Sequence, residues 1–194
     1  MIARHAVCPG SFDPVTNGHL NIFARAAEQF DRITVLVTGN PNKKKGLFSI
    51  AERVELIRQS TSHLDNVAVD TWSGLLVDYT SAHQVTALVK GLRSAIDYEY
   101  ELPMAQVNRR LTGVDTFFLF TDPEFGFISS SLCKEVSKYG GDISGMLPPP
   151  VARAIRAKFA GDEQRARTDR AEGKVSRGRG GPAAGSGKPS GAGE

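Results

Sequence analysis

The chain has 194 residues, 40% of them hydrophobic and 23% charged, which is enough for one full hydrophobic core and little more. The formal net charge is +3, and residues 161–194 supply +2 of it through seven basic and five acidic side chains, so the remainder is close to neutral and unlike a domain that coats nucleic acid. Two cysteines, Cys8 and Cys133, lack C-x-x-C spacing and argue against a disulfide framework or a zinc site, while the lack of a signal-peptide pattern or of about 18 consecutive apolar residues argues against a leader or a membrane span; a reducing cytoplasm suits such a chain.

The apolar run Ile2 to Cys8 reads as a first strand. It breaks into the loop Gly10-Ser11-Phe12-Asp13-Pro14-Val15-Thr16-Asn17-Gly18-His19 and restarts as a helix, with Leu20, Phe23, Ala24, Ala27 and Phe30 spaced by three and four. Ile33 to Val37 is a β-branched second strand. Ser49 and Glu52 form a capping-box pair that starts a helix carrying Val54, Leu56 and Ile57. Val67 to Val69, Val85 to Val89 and Thr116 to Phe120 are further strand-like runs, read as buried on both faces. Tyr98 to Leu111 and Ser129 to Tyr139 are helical. Pro148-Pro149-Pro150 starts a last helix, Val151 to Phe159. This alternation predicts an α/β fold with a Rossmann-like, doubly wound parallel five-stranded sheet and flanking helices over residues 1–160. Residues 161–194 form a separate tail. Its eight glycines and two prolines from 173 onward predict disorder. Arg177-Gly178-Arg179 within it has a faint RNA-binding character, set against an unselected solvated extension.

In such a sheet ligands bind beyond the C-terminal strand ends, where the conspicuous polar residues fall. The first loop directs backbone N–H groups, the Ser11 hydroxyl and the His19 imidazole at one point, and a nucleotide phosphate is the natural occupant. The alternative is a strand–loop–helix junction with a structural histidine. Neither a Walker A nor a G-x-G-x-x-G pattern is present. Ser129-Ser130-Ser131 opens a helix and offers hydroxyls and free N–H groups, either to a phosphate or only as caps.

The loop from Gly10 to His19, together with Ile128-Ser129-Ser130-Ser131, resembles the H/T-x-G-H nucleotidyltransferases. Lys90-Gly91-Leu92-Arg93, Asp97-Tyr98-Glu99-Tyr100-Glu101, Met104-Ala105-Gln106-x-Asn108 and Ser129 to Val136 narrow the likeness to the phosphopantetheine adenylyltransferase family, over roughly residues 2–159. The resemblance implies transfer of the adenylyl group of ATP, with Mg2+, to 4′-phosphopantetheine. It assigns His19, Ser11, Lys43 and Arg93 to catalysis. It assigns Ser11, Phe12, His19, Gly91, Leu92, Arg93, Glu101, Phe125, Gly126, Phe127, Ile128, Ser129, Ser130 and Ser131 to ATP. It assigns Ser11, Lys43, Leu76 and Lys90 to the second substrate, and no residue to a metal. Lys44 is an alternative to Lys43, and Arg93 has the alternative of an ion pair with Glu99 or Glu101. A homohexamer, a dimer of trimers, is also implied, with small-molecule partners and neither nucleic acid nor membrane. A nicotinamide mononucleotide adenylyltransferase, a cytidylyltransferase and a nucleotide-sensing module are the competing readings.

Overall fold

Two central strands set the architecture, because their side chains are apolar on both faces. These are β1, His5–Gly10, and β2, Arg32–Thr38. Ala6, Val7, Ile33, Val35 and Leu36 are fully buried, as strands sandwiched between two helical layers must be. In the computed structural model, which describes residues 4–39 and 46–161, β3, Val67–Trp72, β4, Ala87–Leu92, and β5, Asp115–Phe120, complete a parallel sheet in the order β3-β2-β1-β4-β5. Helices α1, Asn17–Gln29, α2, Ile50–Thr61, α3, Leu76–Ala82, and α4, Ala95–Thr112, connect the strands. After β5 come α5, Ser130–Lys138, and α6, over 149–161. The doubly wound arrangement is the one predicted. The N-terminal part of the first strand run and the tail beyond 161 lie outside the described residues.

Local chemistry accounts for the helix starts. Ser49 Oγ accepts the Glu52 amide and the Glu52 carboxylate accepts the Ser49 amide, the reciprocal box read from the sequence. The equivalent box at α1 uses Thr16 with His19 as its third residue. Helix α6 docks through the buried Val151 and Ile155, and Lys158 reaches Glu52 at 2.7 Å.

Two expectations need correction, and one element, α3, lies beyond them. The outer strands are not buried on both faces: β3 and β5 alternate between partly buried and exposed residues, with Phe117 and Phe120 largely open to solvent, because an edge strand packs fewer neighbours. Helix α4 starts at Ala95 rather than near Tyr98, since the Ser94 hydroxyl caps the Asp97 amide. Short α3 has no sequence signature, and it closes over a core cluster of Val7, Leu36, Tyr79, Val85 and Leu88 with Leu76 packed against it.

The order of the strands also makes a crevice. The direction in which strands are added reverses between β1 and β4, which run parallel and pair only at Ala6↔Ala87 and Val7↔Leu88. Beyond that point β1 continues along β2 through Pro9 and Gly10, and β4 continues along β5 to Leu92. Strands β1 and β4 therefore part at their C-terminal ends, the place where such sheets bind ligands. Pro9, which has no N–H, sits where the bond toward β4 has already ended.

Candidate active site

A cavity of about 510 Å³ fills this crevice. One wall is the loop from β1 to α1. Phe12 has φ of +43°, a left-handed conformation costly for a side chain of this size. It folds the Phe12 ring back over Gly10, where a Cβ would stand 2.7 Å from Phe12 Cζ. The ring then meets His19 edge-on at 5.1 Å and Phe23 at 5.5 Å.

His19 is held by the backbone. The Thr16 amide donates to Nδ1 at 3.0 Å, and the Thr16 hydroxyl lies 2.9 Å from the same nitrogen. Because Nδ1 accepts an N–H, the neutral ring carries its proton on Nε2. Burial, with a smaller contribution from the Arg93 guanidinium on the facing wall, pushes the imidazole down to about 4. At neutral pH the side chain is thus an uncharged donor fixed in one tautomer, with Nδ1 turned to the loop and the ring lining the cavity.

An ion cluster braces the loop from behind. Asp13 is nearly buried and accepts the Phe48 amide at 2.9 Å and the Leu47 amide at 3.0 Å. Arg53 approaches it at 3.4 Å and Lys134 at 3.3 Å. Burial opposes ionisation of this carboxyl, yet the two amides and two cations hold it below its usual range. Arg53 also donates to the carbonyls of Phe48 and Ser11. Gly46 is required here, since a Cβ would fall 1.9 Å from the Arg53 guanidinium. The sequence gives no local sign of this cluster, because Asp13, Arg53 and Lys134 are far apart in the chain.

The opposite wall is the end of β4 and the first turns of α4. Gly91 lets α1 approach, as a Cβ would meet Ile22 at 2.7 Å. Lys90 pairs with Glu101 at 3.0 Å. Arg93 pairs with Asp97, not with Glu99 or Glu101. The floor of the α5 start is partly engaged: Ser129 Oγ caps the Leu132 amide, and the Ser130 hydroxyl donates to the Pro14 carbonyl at 2.7 Å. The first-turn amides of Ser130 and Ser131 have no partner within the helix, so they and the Ser131 hydroxyl are the groups available to an anion.

Of the residues singled out from sequence, Ser11, Phe12, His19, Lys90, Gly91, Arg93, Glu101, Ile128, Ser129, Ser130 and Ser131 line this one cavity. Leu92 is buried directly behind it. Phe125, Gly126 and Phe127 form the turn before α5 and do not line it, although the Phe125 carbonyl accepts the Ile128 amide. Leu76 does not line it and is partly buried, packed against the core cluster. Lys43, with its alternative Lys44, lies outside the described residues. Ile22, Ile96 and Thr121 also line the cavity and escaped the sequence reading; for Ile22 the signal was its position one helical turn after His19. The two cysteines are buried, with thiols pushed up to about 12 at Cys8 and about 11 at Cys133, too high for nucleophilic work.

The cytidylyltransferase-like family model matches residues 7–136. The chain is 68% identical over 155 residues to the phosphopantetheine adenylyltransferase of Corynebacterium glutamicum (strain R), covering 80% of this chain and 97% of that protein. It is equally similar, over 154 residues, to the enzyme of the same name from Corynebacterium efficiens, covering 79% and 97%. A crystal structure from Vibrio parahaemolyticus, assigned to the nicotinate-nucleotide adenylyltransferases, superposes with a TM-score of 0.59 at 16% identity, covering 79% of this chain and 99% of that one; it bears on the fold alone. With two thirds of the sequence matched by the family model and curated relatives aligned along nearly their whole length, the chain belongs to the phosphopantetheine adenylyltransferase family of the cytidylyltransferase-like nucleotidyltransferases.

Proposed function

We propose that the chain is an enzyme that transfers the adenylyl group of ATP to 4′-phosphopantetheine, yielding dephospho-coenzyme A and pyrophosphate. A phosphate oxygen of phosphopantetheine attacks the α-phosphorus in line. The bond from that phosphorus to the β-phosphate bridging oxygen breaks, and pyrophosphate leaves with the electron pair. A phosphate is already an adequate nucleophile, so the protein need supply only positioning and charge stabilisation. The observation that carries this reading is the neutral, single-tautomer His19 at the strand crevice, facing Arg93 and Lys90. Its Nε2 proton is a preorganised donor for charge that develops at the α-phosphate, which is where such donors accelerate most. Ser11 supplies a second donor beside it. Lys90, Arg93 and the α5 amides suit the remaining phosphates, and the catalytic role that the family resemblance gives Lys43 is kept as part of this reading.

The carboxylates that face the cavity, Asp97 and Glu101, are engaged by Arg93 and Lys90, and no cluster of three or more metal-ligating side chains exists among the described residues. That donor set fits Mg2+ as part of the MgATP substrate, carried on phosphate oxygens and water. Residues 1–160 then form the whole catalytic domain, a reading supported by the relatives, whose alignments span 97% of their own length but only 155 residues of this chain. We also infer a cytoplasmic protein, because its two cysteines are buried free thiols of the kind a reducing compartment maintains. A homohexamer is part of this reading, and Met104, Val107 and Leu111 on α4 form an exposed apolar stripe at helical spacing that suits burial between subunits.

The test is pyrophosphate release with ATP and a panel of acceptors. Phosphopantetheine should be preferred over nicotinamide mononucleotide by orders of magnitude in kcat/KM, and preference for the latter overturns the reading. Deletion of 162–194 should leave the rate unchanged. Light scattering should return six chains.

A further inference from the structure

We propose that Asp97 is a positioning residue for this reaction, fixing the Arg93 guanidinium in the orientation from which its free N–H bonds meet the ATP phosphates; the inference rests on the function proposed above. Asp97 Oδ2 accepts the Arg93 backbone amide at 2.9 Å and Nε at 3.1 Å. Oδ1 accepts Nη2 at 3.0 Å. Nη1 donates to the Ile128 carbonyl at 3.2 Å, tying the same side chain to the start of α5. A guanidinium has five N–H bonds. Three are engaged here, which leaves one on each terminal nitrogen. Two such bonds form the fork that matches a phosphate.

The Arg93 side chain lies on the cavity rim, 38% exposed even when paired, and without these contacts it would have to be ordered during each turnover. The contact with its own amide also clamps the turn after Gly91 and Leu92. The arrangement has a specific cost: Asp97 sets a negative charge beside the site for a polyanion. Its removal should therefore leave ATP ground-state binding unchanged or tighter, while orientation in the transition state is lost. A purely structural acid in the first turn of α4, acting on the helix start, would show no such split and no dependence on Arg93.

The experiment is a double-mutant cycle in the full chain. Turnover is read as pyrophosphate release and ATP affinity by calorimetry, for wild type, Asp97→Ala, Arg93→Ala and the double variant. Asp97→Asn, which has the same shape, repeats the cycle should the alanine variant fail to fold, and thermal midpoints identify folded protein. We expect Asp97→Ala to lower kcat by about 10²-fold, the scale of a misplaced reacting group, with ATP affinity undiminished. On the Arg93→Ala background the same substitution should change kcat by less than about twofold, the near-complete coupling expected of residues acting as a unit. Equal losses on both backgrounds, or unchanged kcat in the Asp97 variants, overturn the role of Asp97 alone. Full turnover in Arg93→Ala overturns the reading of Arg93 as a phosphate ligand, and the role of Asp97 with it.

Discussion

The two walls of the cavity are built on different principles. The wall from β1 to α1 is short-range and rigid. His19 is fixed by the amide of Thr16, three residues away, and its loop is anchored from behind by Asp13 and Arg53, both nearly buried. The wall from β4 to α4 is electrostatic and open. Its cations are held by the carboxylates Asp97 and Glu101 at half-exposed positions, and Asn108 is the only buried residue along all of α4. The contrast follows from the chemistry each wall supplies. A donor that must meet developing charge at one phosphorus gains from a fixed position and exclusion of water. Cations that neutralise a polyphosphate must keep N–H bonds open to the ligand while their carboxylates hold them, and partly exposed pairs leave those bonds accessible.

The largest effect that tests the contrast is loss of the rigid wall's own donor. His19→Ala should lower kcat by about 10³-fold with ATP affinity nearly unchanged in calorimetry, because the missing contact belongs to the transition state. Equal activity in the variant breaks the comparison. Next, Arg53→Ala leaves the Asp13 carboxylate buried with one cation fewer, and should destabilise the fold by about 3 kcal/mol in denaturant titration.

Proton linkage is of similar or smaller size. His19 titrates at about 4 in the folded chain and near 6.5 when unfolded. Its stabilising contribution is therefore complete above about pH 6.5 and is lost as pH falls toward 4, because the unfolded state takes up the proton first. Between those limits wild type should lose at most about 3 kcal/mol more than His19→Gln. At the small end lies the open wall. Glu101→Gln should change unfolding free energy by less than about 1 kcal/mol, since its pair with Lys90 is partly solvated. A large loss there would mean that both walls are structural.

Much of the fold was legible because its signals are local. The Ser49–Glu52 box starts α2 as read, and the apolar runs at 33–37 and 116–120 lie within strands β2 and β5. The loop from Gly10 to His19 needs no distant partner to be recognised, since glycine, hydroxyl and imidazole occur within ten residues. What escaped was non-local. The run at 116–120 is equally apolar whether a strand is central or at an edge, so the exposure of Phe117 and Phe120 depends on sheet position. The start of α4 depends on one serine hydroxyl, and α3 has no periodic pattern long enough to mark it. The sequence reading offered Glu99 or Glu101 as the ion-pair partner of Arg93; Asp97 takes that place because the turn that starts at the Ser94 cap folds its carboxylate back onto the Arg93 amide and guanidinium.

By itself, the sequence determined the strand–helix alternation, the loop that joins glycine, hydroxyl and imidazole, and the family, because propensity, capping and motif spacing are properties of neighbouring residues. Only the tertiary structure decided that β1 and β4 part after two paired residues, that Asp13, Arg53 and Lys134 converge, and which proton His19 carries. Those outcomes depend on groups brought together across the sheet, where burial and hydrogen bonding set charge and tautomer.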